Sequence, residues 1–395
     1  MNILVINAGS SSLKYQVIEM PSQNIKCTGI IERIGTKHAV FTHEKKNEKY
    51  SKTLPILNHE IGLKKIAETL LNAKNGVVNS FNEIDVVGHR VVHGGSKFSE
   101  PTIINKEVKN NIRSLFDLAL LHNPANLTGI EIAETIFTNA KQIAIFDTAF
   151  HQTIPKEAYQ YAINTSYLKE NKIRAYGFHG TSHKYVSKKA IDYLGKECSK
   201  KIITIHLGNG CSMSAIKNGK SIENSLGFGP MNGLIMGTRS GDIDQSVIFF
   251  LMKKLNKSID EVSNLLQKES GMLGLTGFSD LREITEKALN GDDKCQNGLN
   301  LAGYRIRKYI GSYTAILNGL DAIIFTAGIG ENSSLMRELS CKNLSFLGID
   351  LDVGKNKIRS SGIKEIQSLT SKVKILVIPT NEEIEIAKQS YQLIK

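Results

Sequence analysis

An α/β fold assembled from two similar halves is predicted by three features of the sequence. Short apolar runs alternate with helix-patterned segments along the whole chain, which argues against all-helical and all-β architectures. A strand, glycine turn, strand pattern near the N-terminus returns about 200 residues later, as in a duplicated unit. Three separate glycine loops each follow an apolar strand. Such a duplication accounts for two similar domains facing each other across a cleft. The length of 395 residues agrees, since at about 150 residues per domain it accommodates two or three. With 41% hydrophobic residues, cores can form without metals or disulfides.

Taken in order, Asn2 to Ile6 is an apolar strand, Ala8 to Ser12 a turn and Leu13 to Glu19 the return strand of a hairpin. Ile84 to Val92 is a further strand. Asn123-Pro124 is expected to be an N-cap followed by proline at the first helical position, opening a helix of about 14 residues. That helix leads to the buried strand Gln142 to Phe146, which ends at Asp147. Lys201 to Leu207, the turn Gly208-Asn209-Gly210 and Ser212 to Ile216 repeat the first hairpin. Ala322 to Phe325 is a strand leading into Ala327-Gly328-Ile329-Gly330-Glu331-Asn332, with a helix pattern after it, an order that suits anion binding. Lys374 to Ile378 is the last strand, and Thr380 or Asn381 caps a final helix carrying Glu382 and Glu383 in its first turn. No low-complexity linker divides the halves, so the domain boundary is expected in short crossings near Asp147 and Pro379.

Composition narrows the function. The formal charge of +12 is spread over dispersed lysines, without a basic stripe interleaved with aromatic residues, so nucleic acid is not the expected partner. No apolar run approaches the roughly 18 residues of a membrane span, and the first residues lack the pattern of a cleavable leader, so a cytoplasmic location without membrane association is expected. Five scattered cysteines without a Cys-x-x-Cys pair read as reduced thiols rather than a disulfide or zinc framework.

Glycine loops let backbone N–H groups approach anionic oxygens closely. None of the three here is a Walker A loop or a Gly-x-Gly-x-x-Gly opening a βαβ unit, which removes the main support for P-loop and Rossmann enzymes. The surrounding residues suit phosphoryl transfer, which needs cations, a magnesium site and positioning groups. Lys14 follows the first loop, Arg90 lies in Gly88-His89-Arg90-Val91-Val92-His93-Gly94-Gly95, and Arg239 lies in Met236-Gly237-Thr238-Arg239-Ser240-Gly241-Asp242. Each arginine also has a plainer reading as a surface ion pair. Asp147 at a strand end either faces the ligand crevice of an α/β sheet or caps a helix. His179 and His183, like His89 and His93, are spaced as zinc ligands can be. Gly180 and a cap at Thr181 or Ser182 set His179 apart from the helix, however, and favour a hydrogen-bonding or charge-stabilising role for it.

Long motifs carry a resemblance from end to end: Asn7-Ala8-Gly9-Ser10-Ser11-Ser12-Leu13-Lys14, residues 88 to 95, Phe146-Asp147-Thr148-Ala149-Phe150-His151, Tyr176 to His183, His206 to Gly210, Gly237 to Asp244, Gly328 to Asn332 and Pro379 to Glu383. The chain resembles the acetokinase family, whose fold is that of actin, sugar kinases and heat-shock ATPases: two duplicated ribonuclease H-like domains, each a mixed sheet flanked by helices. The resemblance implies reversible phosphoryl transfer between ATP and acetate, giving ADP and acetyl phosphate, with Mg2+ or in its place Mn2+. Propionate or another short-chain carboxylate is the alternative acceptor.

By the same resemblance, Asp147, Arg90, Arg239 and His179 are catalytic, and Asn7 and Glu382 serve the metal. Arg90, Val92, Leu121, His122, Phe178 and Pro230 bind the carboxylate and its apolar tail. Lys14, His206, Leu207, Gly208, Asn209, Gly210, Asp280, Leu281, Arg282, Gly328, Ile329, Gly330, Glu331 and Asn332 bind ATP. Residues 1–148 with 381–395 would form the acyl and metal domain and 149–380 the nucleotide domain, in a homodimer. The chain departs from the family's pattern at Gly229, Met231-Asn232, Ala175 and Gln245, positions that bear on loop rigidity and pocket shape. A carboxylate nucleophile is already ionised at neutral pH, so Asp147 would position groups rather than remove a proton.

Overall fold

The computed structural model describes residues 1–395 apart from Asn47, Leu121 and Ser360. The chain divides into two compact units, Met1–Gln152 with Asn381–Lys395, and Thr153–Thr380. Gln152, the last residue of the first segment, donates its side-chain amide to the carbonyls of Gly95 (3.0 Å) and Thr148 (3.2 Å).

In the first unit the described strands are β1 (Asn2–Ala8), β2 (Ser12–Glu19), β3 (Asn24–Glu32), β4 (Thr36–Lys45), β5 (Glu48–Ile56), β6 (Val86–Val91), β7 (Thr102–Ile103) and β8 (Lys141–Phe146). They form one sheet in the order β5-β4-β3-β2-β1-β6-β8-β7, with β1, β6 and β8 parallel to one another and the pairs from β1 out to β5 antiparallel. β1 is central, and its successive side chains feed two different cores. Leu4 and Ile6 join Leu13, Tyr15 and Val17 under the helices His59–Leu70 and Asn123–Ile136. Ile3 and Val5 join Val86, Ile143 and Ile145 against Ile386 and Ala387 of the helix Glu382–Ile394. Alternation with both faces covered follows from the period of two, and burying each such side chain contributes about 1.5–3 kcal/mol. Gly88 permits the second packing: a Cβ there would lie 2.9 Å from both Ile386 Cγ2 and Ser390 Oγ.

The second unit holds β9 (Lys201–Leu207), β10 (Cys211–Lys217), β11 (Lys220–Asn224), β12 (Ala322–Thr326), β13 (Lys364–Glu365) and β14 (Lys374–Val377), in the order β11-β10-β9-β12-β14-β13. The helices Gly180–Leu194 and Asp293–Leu317 pack on this sheet. Its first five strands repeat the order β3-β2-β1-β6-β8 of the first unit, and in both the first three are antiparallel and the last three parallel. The expected duplication is therefore present as topology.

Two local expectations change. Asn123 is the first residue of the helix Asn123–Ile136, not its cap; His122 occupies the cap position without a side-chain bond, and Pro124 still lies in the first turn. Asn123 has other work, described below. Likewise neither Thr181 nor Ser182 caps the helix Gly180–Leu194: His179 holds that position.

Candidate active site

Strand registry gathers the first cluster. Asn7 on β1 stands opposite Lys14 on β2, Ile6 pairs with His89 on β6, and Arg90 pairs with Ile145 on β8, one residue from Phe146 and two from Asp147. Asn7, Arg90 and Asp147 thus emerge at the carboxyl ends of three adjacent parallel strands, where α/β sheets bind ligands. The guanidinium of Arg90 pairs with Asp147, which is 1% exposed, and donates to Asn7 Oδ1 at 3.1 Å. Its Nε lies 3.7 Å from Glu382 Oε2, and Lys14 Nζ lies 2.7 Å from the buried Glu383. Asn381 caps the helix that brings both glutamates, its Oδ1 accepting from Ile384 N at 2.9 Å.

Five charges meet here: Asp147, Glu382 and Glu383 against Arg90 and Lys14, a formal excess of one negative charge. Burial pushes the Glu382 carboxyl up to about 7; Arg90 and Lys14 oppose the rise, while Asp147 and Glu383 add to it. The hard oxygens of Asn7 and Glu382, beside the carboxyl groups of Asp147 and Glu383, suit a divalent magnesium that keeps waters and substrate oxygens as its other ligands. Both ring nitrogens of His183, a possible zinc ligand by its spacing, meet hydroxyls instead, Nδ1 that of Thr204 and Nε2 that of Ser212.

Two asparagines support this cluster, Asn123, expected as a cap, and Asn126, which has no local motif. Asn126 Oδ1 accepts from Val92 N at 3.0 Å and its Nδ2 donates to Ala8 O at 2.6 Å. Asn123 Oδ1 accepts from His93 N and its Nδ2 donates to His93 O, both at 3.0 Å. Both are buried and one helical turn apart, a spacing visible in His122-Asn123-Pro124-Ala125-Asn126 once the helix is known. Val92 is buried, His122 is half-buried, and Leu121 lies outside the described residues.

In the second unit His179 sits at φ 54°, the left-handed region that histidine adopts more readily than most non-glycine residues, and such outliers cluster at functional sites. Its ring stacks on His206 with centroids 4.4 Å apart, and His206 Nδ1 is 2.8 Å from Ser182 Oγ. A Cβ at Gly210 would lie 3.5 Å from the His179 ring and 3.8 Å from Arg239 Nη1, so this turn runs between the two. Arg239 donates to Pro230 O at 2.9 Å, and burial lowers its pKa. Phe178 is buried and Pro230 half-buried.

The predicted nucleotide residues gather around a cavity of about 810 Å³, lined by Gly208, Asn209, Asp280, Leu281, Arg282, Gly328, Ile329 and Asn332. Ser279, Ser333 and Arg359 line it as well and were not foreseen. Leu207 borders an adjoining apolar recess with Met236, Met272 and Ile306. The glycine stretch after β12 is itself a short helix, Ala327–Asn332, entered through Ala327 at φ 65°. Glu331 turns away to accept from Thr380 N at 3.1 Å, and Gly330 O accepts from Arg337. Gly330, Glu331, Gly210, His206 and Lys14 are not among the residues lining this cavity.

The chain is thus an α/β protein duplicated in topology, with an arginine–carboxylate cluster in one unit and a glycine-bordered cavity in the other. The model of the "Acetokinase family" matches residues 2–388, and the chain belongs to that family. An "Acetate kinase" of Flavobacterium johnsoniae is 58% identical over 395 residues, covering all of both chains. The crystal structure of Porphyromonas gingivalis acetate kinase superposes with a TM-score of 0.93 at 41% identity, with all of both chains covered. A propionate kinase from Francisella tularensis gives 0.93 at 39% identity, over 99% of each chain.

Proposed function

We propose that this chain is an acetate kinase, transferring the γ-phosphoryl group of ATP to a short-chain carboxylate and reversing that reaction. Its family and the whole-length likeness to acetate kinases support the reaction, and one observation carries the assignment of residues: Arg90, held by Asp147 and Asn7 at the ends of three parallel strands. Arg90 is the group that binds the acceptor carboxylate, because a planar guanidinium meets a carboxylate in two parallel hydrogen bonds. Asp147 fixes the guanidinium plane and keeps it from rotating away. Arg239 and His179 compensate charge on the moving phosphoryl group, and the loops 206–210 and 328–332 with Asp280 to Arg282 hold the nucleotide. Lys14 neutralises nucleotide phosphates once it exchanges Glu383 for them.

Asn7 and Glu382 would hold magnesium, which supplies charge neutralisation on the phosphates when bound. Alignment and charge compensation in a dry site supply the rate enhancement, since the nucleophile needs no base. The unit 1–152 with 381–395 serves the acyl group and metal, and 153–380 serves the nucleotide. The active form is a homodimer in the cytoplasm. Among the described residues no helix is long and apolar enough to cross a membrane.

Propionate is the second reading, favoured by the 39% identity to a propionate kinase. ADP formation measured with acetate, propionate and butyrate, each with and without magnesium, tests both. Acetate should give the highest kcat/KM, and only with the metal; a maximum on butyrate, or ATP turnover indifferent to any acid, would overturn the assignment.

A further inference from the structure

A buried chain of hydrogen bonds runs from the middle of β9 to the ring of His179. Thr204 Oγ1 lies 2.7 Å from His183 Nδ1, His183 Nε2 lies 2.8 Å from Ser212 Oγ, and Ser212 Oγ lies 2.8 Å from His179 Nδ1. Thr204, His183 and Ser212 are each 0% exposed. Heavy-atom distances leave the protons open, but counting donors and acceptors assigns them.

Among the described residues the Thr204 hydroxyl meets one hydrogen-bond partner, His183 Nδ1. If that nitrogen carried the proton, the threonine hydrogen would be left buried without an acceptor, which costs about 1–3 kcal/mol. The hydroxyl therefore donates, Nδ1 is unprotonated, and His183 carries its proton on Nε2. That proton goes to Ser212 Oγ, so the serine hydrogen is directed to the other neighbour, His179 Nδ1. A ring that accepts at Nδ1 carries its own proton on Nε2.

We infer that Thr204, His183 and Ser212 are positioning residues that hold His179 as its Nε2–H tautomer, so that the ring presents a fixed donor to the phosphoryl oxygens during transfer. No proton moves along the chain; it sets direction only. This deepens the kinase reading above and rests on it for the role of His179, but not for the tautomer. The His183 that looked like a possible metal ligand in the sequence acts as the link between a strand hydroxyl and the catalytic ring.

The test is long-range 1H–15N spectroscopy of histidine-labelled full-length enzyme, with His179 assigned through His179→Gln, alongside steady-state kinetics. Wild type should show a pyrrole-type Nε2 and an imine-type Nδ1 for His179. Ser212→Ala should merge the two resonances toward their exchange average and lower kcat about fivefold or more, with nucleotide KM changed less than about twofold, as loss of one oriented hydrogen bond implies. Thr204→Val, nearly isosteric, should act in the same direction, and Thr204→Ser should restore the wild-type spectrum and rate. If Ser212→Ala does not fold, the threonine pair decides alone. A Nδ1–H tautomer in wild type, or Thr204→Val and Thr204→Ser with the same spectrum, would overturn the inference. An intact Nε2–H spectrum in an enzyme that phosphorylates no carboxylate would support the relay and overturn the kinase reading instead.

Discussion

Arg90 is both a ligand group and the counter-ion of a buried carboxylate, so its loss should register twice. Arg90→Ala is expected to lower kcat/KM at least about tenfold, or about 1.4 kcal/mol of transition-state stabilisation. It should also destabilise the fold, because the buried Asp147 loses the guanidinium that pairs with it. Denaturant unfolding and kinetics on the same preparation separate the two effects; unchanged kcat/KM would remove Arg90 from the site. Val92, buried next to the arginine strand, tests the acyl pocket more gently. Val92→Ala should raise the propionate to acetate ratio of kcat/KM about threefold or more, within the about 1–3 kcal/mol of one methylene, and an unchanged ratio would exclude residue 92 from that pocket.

Elements place these residues, and two contacts between elements look decisive. Asn126 reaches from the helix Asn123–Ile136 to the ends of both β1 and the segment after β6, binding Ala8 O and Val92 N. Asn126→Ala leaves two buried backbone groups unpaired, at about 1–3 kcal/mol each, and should lower the melting temperature. It should also lower activity more than Asn82→Ala, which removes an exposed bond to Asn139. Equal effects on activity would show that Asn126 does not hold the site. Gly88 sits under the final helix, so Gly88→Ala should push Ile386 and Ser390 outward and displace Glu382 at the helix start. A raised magnesium requirement with acetate KM little changed is the expected signature.

For the whole molecule the buried histidines set the response to acid. Burial lowers the His89 pKa to about 4, against the opposing hydrogen bond that its Nε2 donates to Gln142 Oε1. In the unfolded chain the ring titrates near its ordinary value of about 6.5, so the unfolded state binds more protons between these limits. The stability this provides is complete above about pH 6.5 and is lost as pH falls toward 4. The melting temperature should therefore fall across that window, and less steeply in His89→Gln; an equal slope would show that His89 does not govern it.

Much of this was legible in the chain itself. Apolar runs marked β1, β2, β9, β10, β12 and β14, the repeated hairpin marked the duplication, and glycine spacing marked the turns after β9 and β12 that border the cavity, because period and backbone freedom are local properties. Asn123 resembles a cap in sequence, and Asn126, Ser212 and Thr204 carry no mark of their roles, because a side chain's partner 21 or more residues away has no local signature. Which residue types the chemistry needed was decided by the sequence. Which nitrogen of His179 holds the proton, and which carboxylate holds Arg90, was decided only by the tertiary structure, since buried polar groups take whatever partner packing brings within hydrogen-bond reach.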